Sequence, residues 1–147
     1  MDQHKQPPAG AGFRPVAHTA DTGFHLWGPS LADIFIQGGL ALTGLMTDRR
    51  RLHPSQVLTV SLQAPDREAL LVAWLNHLLY LFDTQGFLAR TIDILEFGPT
   101  ALTARLAGEE MDPSRHTLKT GVKAATYHGL AIRREDGGWT ARVIFDL

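Results

Sequence analysis

The chain contains no cysteine among its 147 residues. This absence excludes disulfide bonds, thiolate zinc sites, iron–sulfur clusters and a cysteine nucleophile. A protein without disulfides suits a reducing compartment, so we expect a cytoplasmic location. The N-terminal sequence MDQHKQPPAGAG has no apolar segment of the kind found in signal peptides, which agrees with that expectation.

Long hydrophobic runs and an excess of one charge are also absent. The most apolar segment, ALLVAWLNHLLYLF, is interrupted by Asn76 and His77 and is too short to cross a bilayer, so no membrane partner is expected. The formal net charge is −1, so the overall electrostatics do not indicate a nucleic-acid-binding protein. We therefore expect any contact with RNA to be indirect or weak.

The signature motifs of several enzyme classes are missing as well. The seven histidines form neither an HExxH motif nor an HxxxH pair, which argues against a zinc enzyme. There is no GxxxxGK(S/T) or GxGxxG loop to hold a nucleotide phosphate, and no serine lies in a nucleophile-elbow context. Carboxylates and lysines remain as the candidates for chemistry.

The patterning predicts one α+β domain in which two helices pack on a mostly antiparallel β-sheet. Residues 1–12 are polar and rich in Pro and Gly, which predicts a flexible tail before a domain over residues 13–147. The first helix is predicted over residues 29–48, with Ser30 and Asp33 forming a capping box. The second is predicted over residues 65–86, with Asp66 as N-cap and Gly86 as C-terminal stop.

Most of the remaining chain is predicted to form strands. Residues 13–27 look extended, with a turn at HTADTG, and the strand over residues 55–64 alternates apolar and polar side chains. The other strands are predicted over residues 87–98, 100–109, 120–129, 130–135 and 139–147. The sequence EDGG between the last two predicts a hairpin.

Two aspartates and the end of the chain form the first candidate site. Asp21 lies in HTADTG, while Asp146 ends a predicted strand and is followed by Leu147 with its terminal carboxylate. If the fold brings Asp21 beside Asp146, a hard divalent cation such as Mg²⁺, Mn²⁺ or Ca²⁺ would relieve the repulsion between these groups. The spacing alone favours a plainer interpretation, in which Asp21 closes a turn and Asp146 is a solvated strand end.

The segment HTLKTGVKAATYHGL contains the second candidate, Lys123. The predicted strand places Lys123 on one face with Ala125, and its ammonium group could bind a phosphate or a carboxylate. A solvated lysine on an antiparallel sheet is the commoner situation. His18 and His128 each adjoin a predicted turn that contains other polar residues.

Four segments together resemble the archease family: HTADTGFHLWG, LLVAWLNHLLYLFDTQGF, HTLKTGVKAATYHGL and the ending RVIFDL. The resemblance extends from about residue 18 to residue 147. It implies a compact α/β domain that is an accessory protein and not a free-standing enzyme. The implied partner is an RtcB-type RNA ligase, which joins RNA ends in tRNA splicing and RNA repair. The accessory protein would promote GTP-dependent guanylylation of the ligase and restore its multiple turnover.

The resemblance also implies roles for individual residues. Asp21, Asp146 and Leu147 would bind a divalent metal ion (Ca²⁺, Mg²⁺ or Mn²⁺), and Lys123 and His18 would contact the partner or a phosphate. GTP would be used by the partner ligase. The chain departs from the family pattern at three positions outside this set: Thr22, Ala73 and His77.

Two alternatives stay open at this point. The chain could be a stand-alone metal-dependent enzyme resembling a phosphoesterase, for which His18 is the nearby candidate base. It could also be a chaperone-like interaction module in which bound Ca²⁺ only stiffens the fold.

Overall fold

The computed structural model describes residues 10–16 and 21–147. Two α-helices pack on two antiparallel sheets, which confirms the predicted α+β class. The elements are β1 (Gly12–Val16), β2 (Asp21–Gly28), α1 (Leu31–Met46), a 3-10 turn (Arg49–Arg51), β3 (Gln56–Gln63), α2 (Arg67–Gln85), β4 (Phe87–Gly98), β5 (Ala101–Glu110), β6 (Ala124–Glu135) and β7 (Gly138–Asp146). Residues 1–9 of the predicted tail lie outside the described residues, so the tail stays a prediction.

Local side-chain chemistry sets the helix ends as predicted. The Ser30 hydroxyl accepts the Asp33 N–H, and the Asp33 carboxylate accepts the Ser30 N–H at 2.9 Å, which completes the capping box. The Asp66 carboxylate accepts the Ala69 N–H at 2.8 Å at the start of α2. Gly86 ends α2 with φ = 71°, a left-handed conformation that favours glycine.

The two sheets enclose the helices from different sides. The first sheet has the strand order β1-β2-β7-β6, and the second has the order β3-β5-β4. Helix α1 contacts β2 and β7 of the first sheet and β4 of the second, while α2 contacts β6 of the first and all three strands of the second. The core therefore lies around the helices, where the Trp74 indole is fully buried and donates a hydrogen bond to the Phe35 carbonyl at 2.8 Å.

The structure corrects three details of the predicted strands. Asp21 begins strand β2, so this part of HTADTG is not a turn, and His18 lies outside the described residues. The segments predicted as separate strands over 120–129 and 130–135 are one strand, β6, which begins only at Ala124. A β-bulge makes this continuity possible, because the residues from Tyr127 to Leu130 stand opposite Val143 alone. Lys123 therefore precedes the strand.

The predicted hairpin between β6 and β7 is confirmed. Glu135 pairs with Gly138, and the two residues between them have positive φ angles, 44° for Asp136 and 78° for Gly137. Two successive positive φ angles are typical of the type I′ turn that joins twisted antiparallel strands. In the described part of the chain, no helix is both long and apolar enough to cross a membrane.

The glycines inside α1 test how tightly the helix packs. A Cβ atom added at Gly39 would lie 2.5 Å from Ile92 Cδ1 and 3.1 Å from Leu78 Cδ1, whereas one added at Gly44 would meet nothing within 4 Å. Both alanine substitutions gain about 1 kcal/mol of helix propensity. Overpacking at Gly39 should cost about 1–3 kcal/mol. In urea unfolding, we therefore expect the free energy of unfolding of Gly44→Ala to exceed that of Gly39→Ala by about 1–3 kcal/mol. Equal free energies of unfolding would contradict the close packing at Gly39.

Candidate metal centre at the ends of strands β2 and β7

Asp21 and Asp146 are brought together at one end of the first sheet. Strands β2 and β7 are its two central strands, and their register places Asp21 directly opposite Asp146. Directly opposed residues in an antiparallel pair have Cα atoms about 4.5–5.5 Å apart. Asp21 is the first residue of a strand, and the turn predicted before it falls on residues 17–20, outside the described residues. Asp146 is an exposed strand end, as the plainer interpretation expected.

Leu147 and Lys123 belong to the same corner. Leu147 follows Asp146 and is 42% exposed, and Asp146 is also exposed. Lys123 lies in the segment immediately before β6, where its backbone N–H donates to the Asp146 carbonyl at 2.8 Å. Because Lys123 is not on the strand, it does not share a strand face with Ala125 as predicted. Its exposed side chain starts from a backbone tied to Asp146.

The histidines do not converge in the same way. His128 is exposed in the bulge of β6, where its N–H donates to the Thr126 hydroxyl at 3.1 Å. His77 lies against the Tyr80 ring on α2, and partial burial lowers its pKa. His18 is outside the described residues, so its predicted contact with a partner or phosphate stays a prediction.

Asn76, which the sequence analysis noted only as an interruption of an apolar helix, supports this corner. Its Oδ1 accepts the Ala125 N–H at 2.8 Å, and its Nδ2 donates to the Ala125 carbonyl at 3.3 Å. Strand β6 is an outer strand of its sheet, so these two backbone groups have no neighbouring strand to pair with. Asn76 therefore fixes the start of β6 against α2, two residues after Lys123.

A buried polar cluster, also missed from the sequence, anchors the segment between β5 and β6. Glu109 accepts hydrogen bonds from the His53 N–H at 2.6 Å, from the Arg115 guanidinium and from His116 Nε2 at 3.1 Å. The other ring nitrogen of His116 accepts the Asp112 N–H at 2.9 Å, which places the ring proton on Nε2. The cluster thus holds the beginning of the segment that leads to Lys123.

Further hydrogen bonds tie this segment to the end of α1. The Thr47 hydroxyl donates to the Thr117 carbonyl at 2.9 Å, and the Lys119 N–H donates to the Met46 carbonyl at 2.7 Å. With the Lys123 contact to Asp146, the segment is held at several points along its length. Spacing in the sequence could not reveal these contacts, because each joins residues distant in the chain.

The donor groups at the corner suit a hard cation. Among the residues whose side chains the structure describes, no three or more His, Asp or Glu side chains are grouped to hold a metal ion. The register instead offers two aspartates and nearby main-chain oxygens. Mg²⁺, Mn²⁺ and Ca²⁺ take such all-oxygen sets and complete their coordination with water. The residues present therefore fit a divalent ion of this class.

The ion pair of Glu109 should make stability depend on pH. The Arg115 hydrogen bond is the main reason that the pKa of Glu109 falls from 4.5 to about 2. The stabilisation from a lowered carboxyl pKa is present above pH 4.5 and is lost as the pH falls towards 2. We expect Glu109→Gln to be less stable than wild type by about 1–3 kcal/mol at pH 6.

The difference between Glu109→Gln and wild type should shrink between pH 4.5 and pH 3 in urea unfolding. Glu96→Gln is the matched control, because Glu96 is exposed and has no ion pair in the described part of the chain. A constant difference across this range would show that the Glu109 charge does not carry the stabilisation.

Comparison with known proteins shows to which family the chain belongs. The sequence pattern of the Archease protein family matches residues 13–147. Protein archease of Methanosarcina mazei is 32% identical over 145 residues, which cover 96% of this chain and 99% of the relative. Protein archease of Thermococcus gammatolerans is 36% identical over 135 residues, which cover 88% and 94%.

Solved structures agree with the fold. The solution structure of Methanobacterium thermoautotrophicum protein 1598 has a TM-score of 0.79 at 36% identity, covering 92% of this chain and 99% of that one. A crystal structure from Thermotoga maritima, described as an archease and possible chaperone, has a TM-score of 0.62 at 20% identity, covering 91% and 96%. At that identity the second likeness shows the fold alone. The resemblance inferred from the four sequence segments is confirmed, and the chain belongs to the Archease protein family.

Proposed function

We propose that this protein is an accessory protein that activates an RtcB-type RNA ligase in tRNA splicing or RNA repair. It would promote GTP-dependent guanylylation of the ligase and its multiple turnover by means of a divalent metal centre. Membership of the Archease family supports the accessory role. The observation that carries the metal centre is the register that pairs Asp21 with Asp146.

The repulsion between two neighbouring carboxylates provides the physical argument for a metal ion. Asp21 and Asp146 occupy opposed positions on adjacent strands, where like charges destabilise the sheet. Asp21, Asp146 and a main-chain oxygen of Leu147 would hold Ca²⁺, Mg²⁺ or Mn²⁺, with waters as further ligands. A bound divalent ion would supply positive charge to stabilise phosphate oxygens at the surface of the protein.

The protein's own residues would position that charge. Asp146 is held between two strands and by the Lys123 N–H, so its backbone is fixed on both sides. The Lys123 ammonium group would bind a phosphate of the partner's nucleotide or orient an aspartate. Asn76 and Glu109 hold the two chain segments that flank Lys123. Such preorganisation avoids the cost of arranging charges when the partner binds.

The exposure of the corner favours an accessory role over independent catalysis. Lys123, Asp146 and Leu147 all lie at the protein surface. A surface corner can be placed against the nucleotide site of another protein, whereas pockets for small substrates are concave and bury most of the ligand. A stand-alone phosphoesterase, with His18 as its base, is the alternative, and turnover of a phosphodiester by the isolated protein would support it.

Substitution of Asp146 tests the metal centre and the partner together. We expect wild-type protein to stimulate guanylylation of the ligase by GTP, and Asp146→Asn to lose at least tenfold of that stimulation. Asp93→Asn is the matched control, because Asp93 is an exposed aspartate on the other sheet. A second readout is thermal unfolding with added Ca²⁺ or Mg²⁺, since a ligand at 100 times its Kd stabilises by about 2.7 kcal/mol. Asp146→Asn should lose this shift.

Each contrary result removes a different part of the proposal. Stimulation that survives in Asp146→Asn would keep the partner and overturn the metal centre. Failure of wild-type protein to stimulate a ligase that responds to another archease would overturn the accessory role.

A further inference from the structure

Positive charge is concentrated where helix α1 ends. The 3-10 turn supplies Arg49, Arg50 and Arg51, strand β4 supplies Arg90, and the segment after β5 supplies Lys119. We call these five residues the arginine patch. The protein has fourteen Lys and Arg residues and a net charge of −1, and five of the fourteen lie in this patch. The density of positive charge is therefore higher here than over the chain as a whole.

Two of these arginines, Arg49 and Arg90, donate hydrogen bonds to backbone carbonyls within this region. Arg49 Nη1 donates to the Arg90 carbonyl at 3.0 Å, and Arg90 Nη1 donates to the Arg50 and Leu52 carbonyls at 3.0 and 2.8 Å. The acceptors are neutral carbonyls, so both guanidinium groups are fixed in place while their charge is left uncompensated. Both side chains are only half-exposed, which limits how far water can screen them.

Acidic side chains offset little of this charge. Asp48 accepts from Arg50 Nε at 3.1 Å and Nη2 at 3.2 Å, and Arg50 is the main cause of the lowered pKa of Asp48. Among the side chains that the structure describes, no carboxylate lies at ion-pair distance from Arg49, Arg51 or Arg90. Asp48 is therefore the one carboxylate, among the described side chains, at ion-pair distance from a residue of the patch.

We infer that the arginine patch binds the phosphate backbone of a single-stranded nucleic acid. A guanidinium group can donate two parallel hydrogen bonds to the oxygens of one phosphate. A nucleic-acid backbone supplies several phosphates at short intervals, so it can neutralise several fixed cations at once. A protein partner would instead need buried aromatic or aliphatic anchors at the centre of its interface. Leu118 is the one exposed large apolar side chain in the described part of the chain that adjoins a patch residue in sequence. Phosphate contacts of this kind carry little sequence preference.

A short segment connects the patch to the candidate metal centre. Lys119 at the patch and Lys123 at the corner are four residues apart, so their Cα atoms are at most about 14 Å from each other. A nucleic-acid strand bound at the patch could thus extend towards Asp146. Binding of nucleic acid at the patch would be a property of the isolated protein and does not require the proposed ligase.

Salt-dependent binding of RNA by the isolated protein tests the patch. With about three phosphate contacts, the plot of log affinity against log salt should have a slope of about −2 for a single strand. We would measure fluorescence anisotropy of a labelled 20-nucleotide single-stranded RNA between 25 and 200 mM salt. Arg50→Glu combined with Arg51→Glu should reduce affinity at least tenfold and flatten the slope.

Arg105→Glu combined with Arg133→Glu is the matched control, because both arginines are exposed outside the patch and the net charge changes equally. This control should lose less than threefold. No binding by wild type at 25 mM salt, or equal losses in the two double variants, would overturn the inference. A polyglutamate peptide that binds as tightly as the RNA would also overturn it, because the patch would then be a docking surface for an acidic protein.

Discussion

The antiparallel pairing of β2 with β7 is the constraint on which the rest of the molecule depends. It joins the first long strand of the described chain to the last, and it forms the centre of the four-stranded sheet. Phe24 and Leu26 of β2 and Val143 and Phe145 of β7 are buried. A slip of one residue would move one strand's set of buried side chains to the opposite face of the sheet and separate the two aspartates at the strand ends. Core packing and site geometry are therefore set by one register.

Features governed by neighbouring residues could be predicted from the sequence. The ends of both helices follow from caps within three residues, and the last hairpin follows from a turn that requires two positive φ angles. The register of β2 against β7 could not be predicted, because it depends on strands at opposite ends of the domain. The same reason hid the contacts of Asn76 with Ala125 and of Glu109 with His53, which join residues 49 and 56 positions apart.

The segment between β5 and β6 links the two charged regions of the surface. It carries Lys119 beside the arginine patch and Lys123 beside Asp146, and Glu109 anchors its start. Hydrogen bonds to backbone groups of α1 and β7 hold it in place, and Met111 and Val122 pack against the core. The segment thus presents two ammonium groups from a backbone that is held at several points, one of them beside the carboxylate of Asp146 on β7. This arrangement suits recognition of a phosphate chain near a cation better than recognition of an apolar ligand.

The hydrogen bonds between Asn76 and Ala125 have a consequence for how copies of the protein meet each other. An outer strand with free backbone groups is a template on which another chain can add a strand and begin aggregation. In β6 the Asn76 amide occupies both groups of Ala125, and the bulge that follows bends the strand out of regular pairing. Together they leave fewer backbone groups on this edge of the sheet, next to the charged corner, with which another chain could pair.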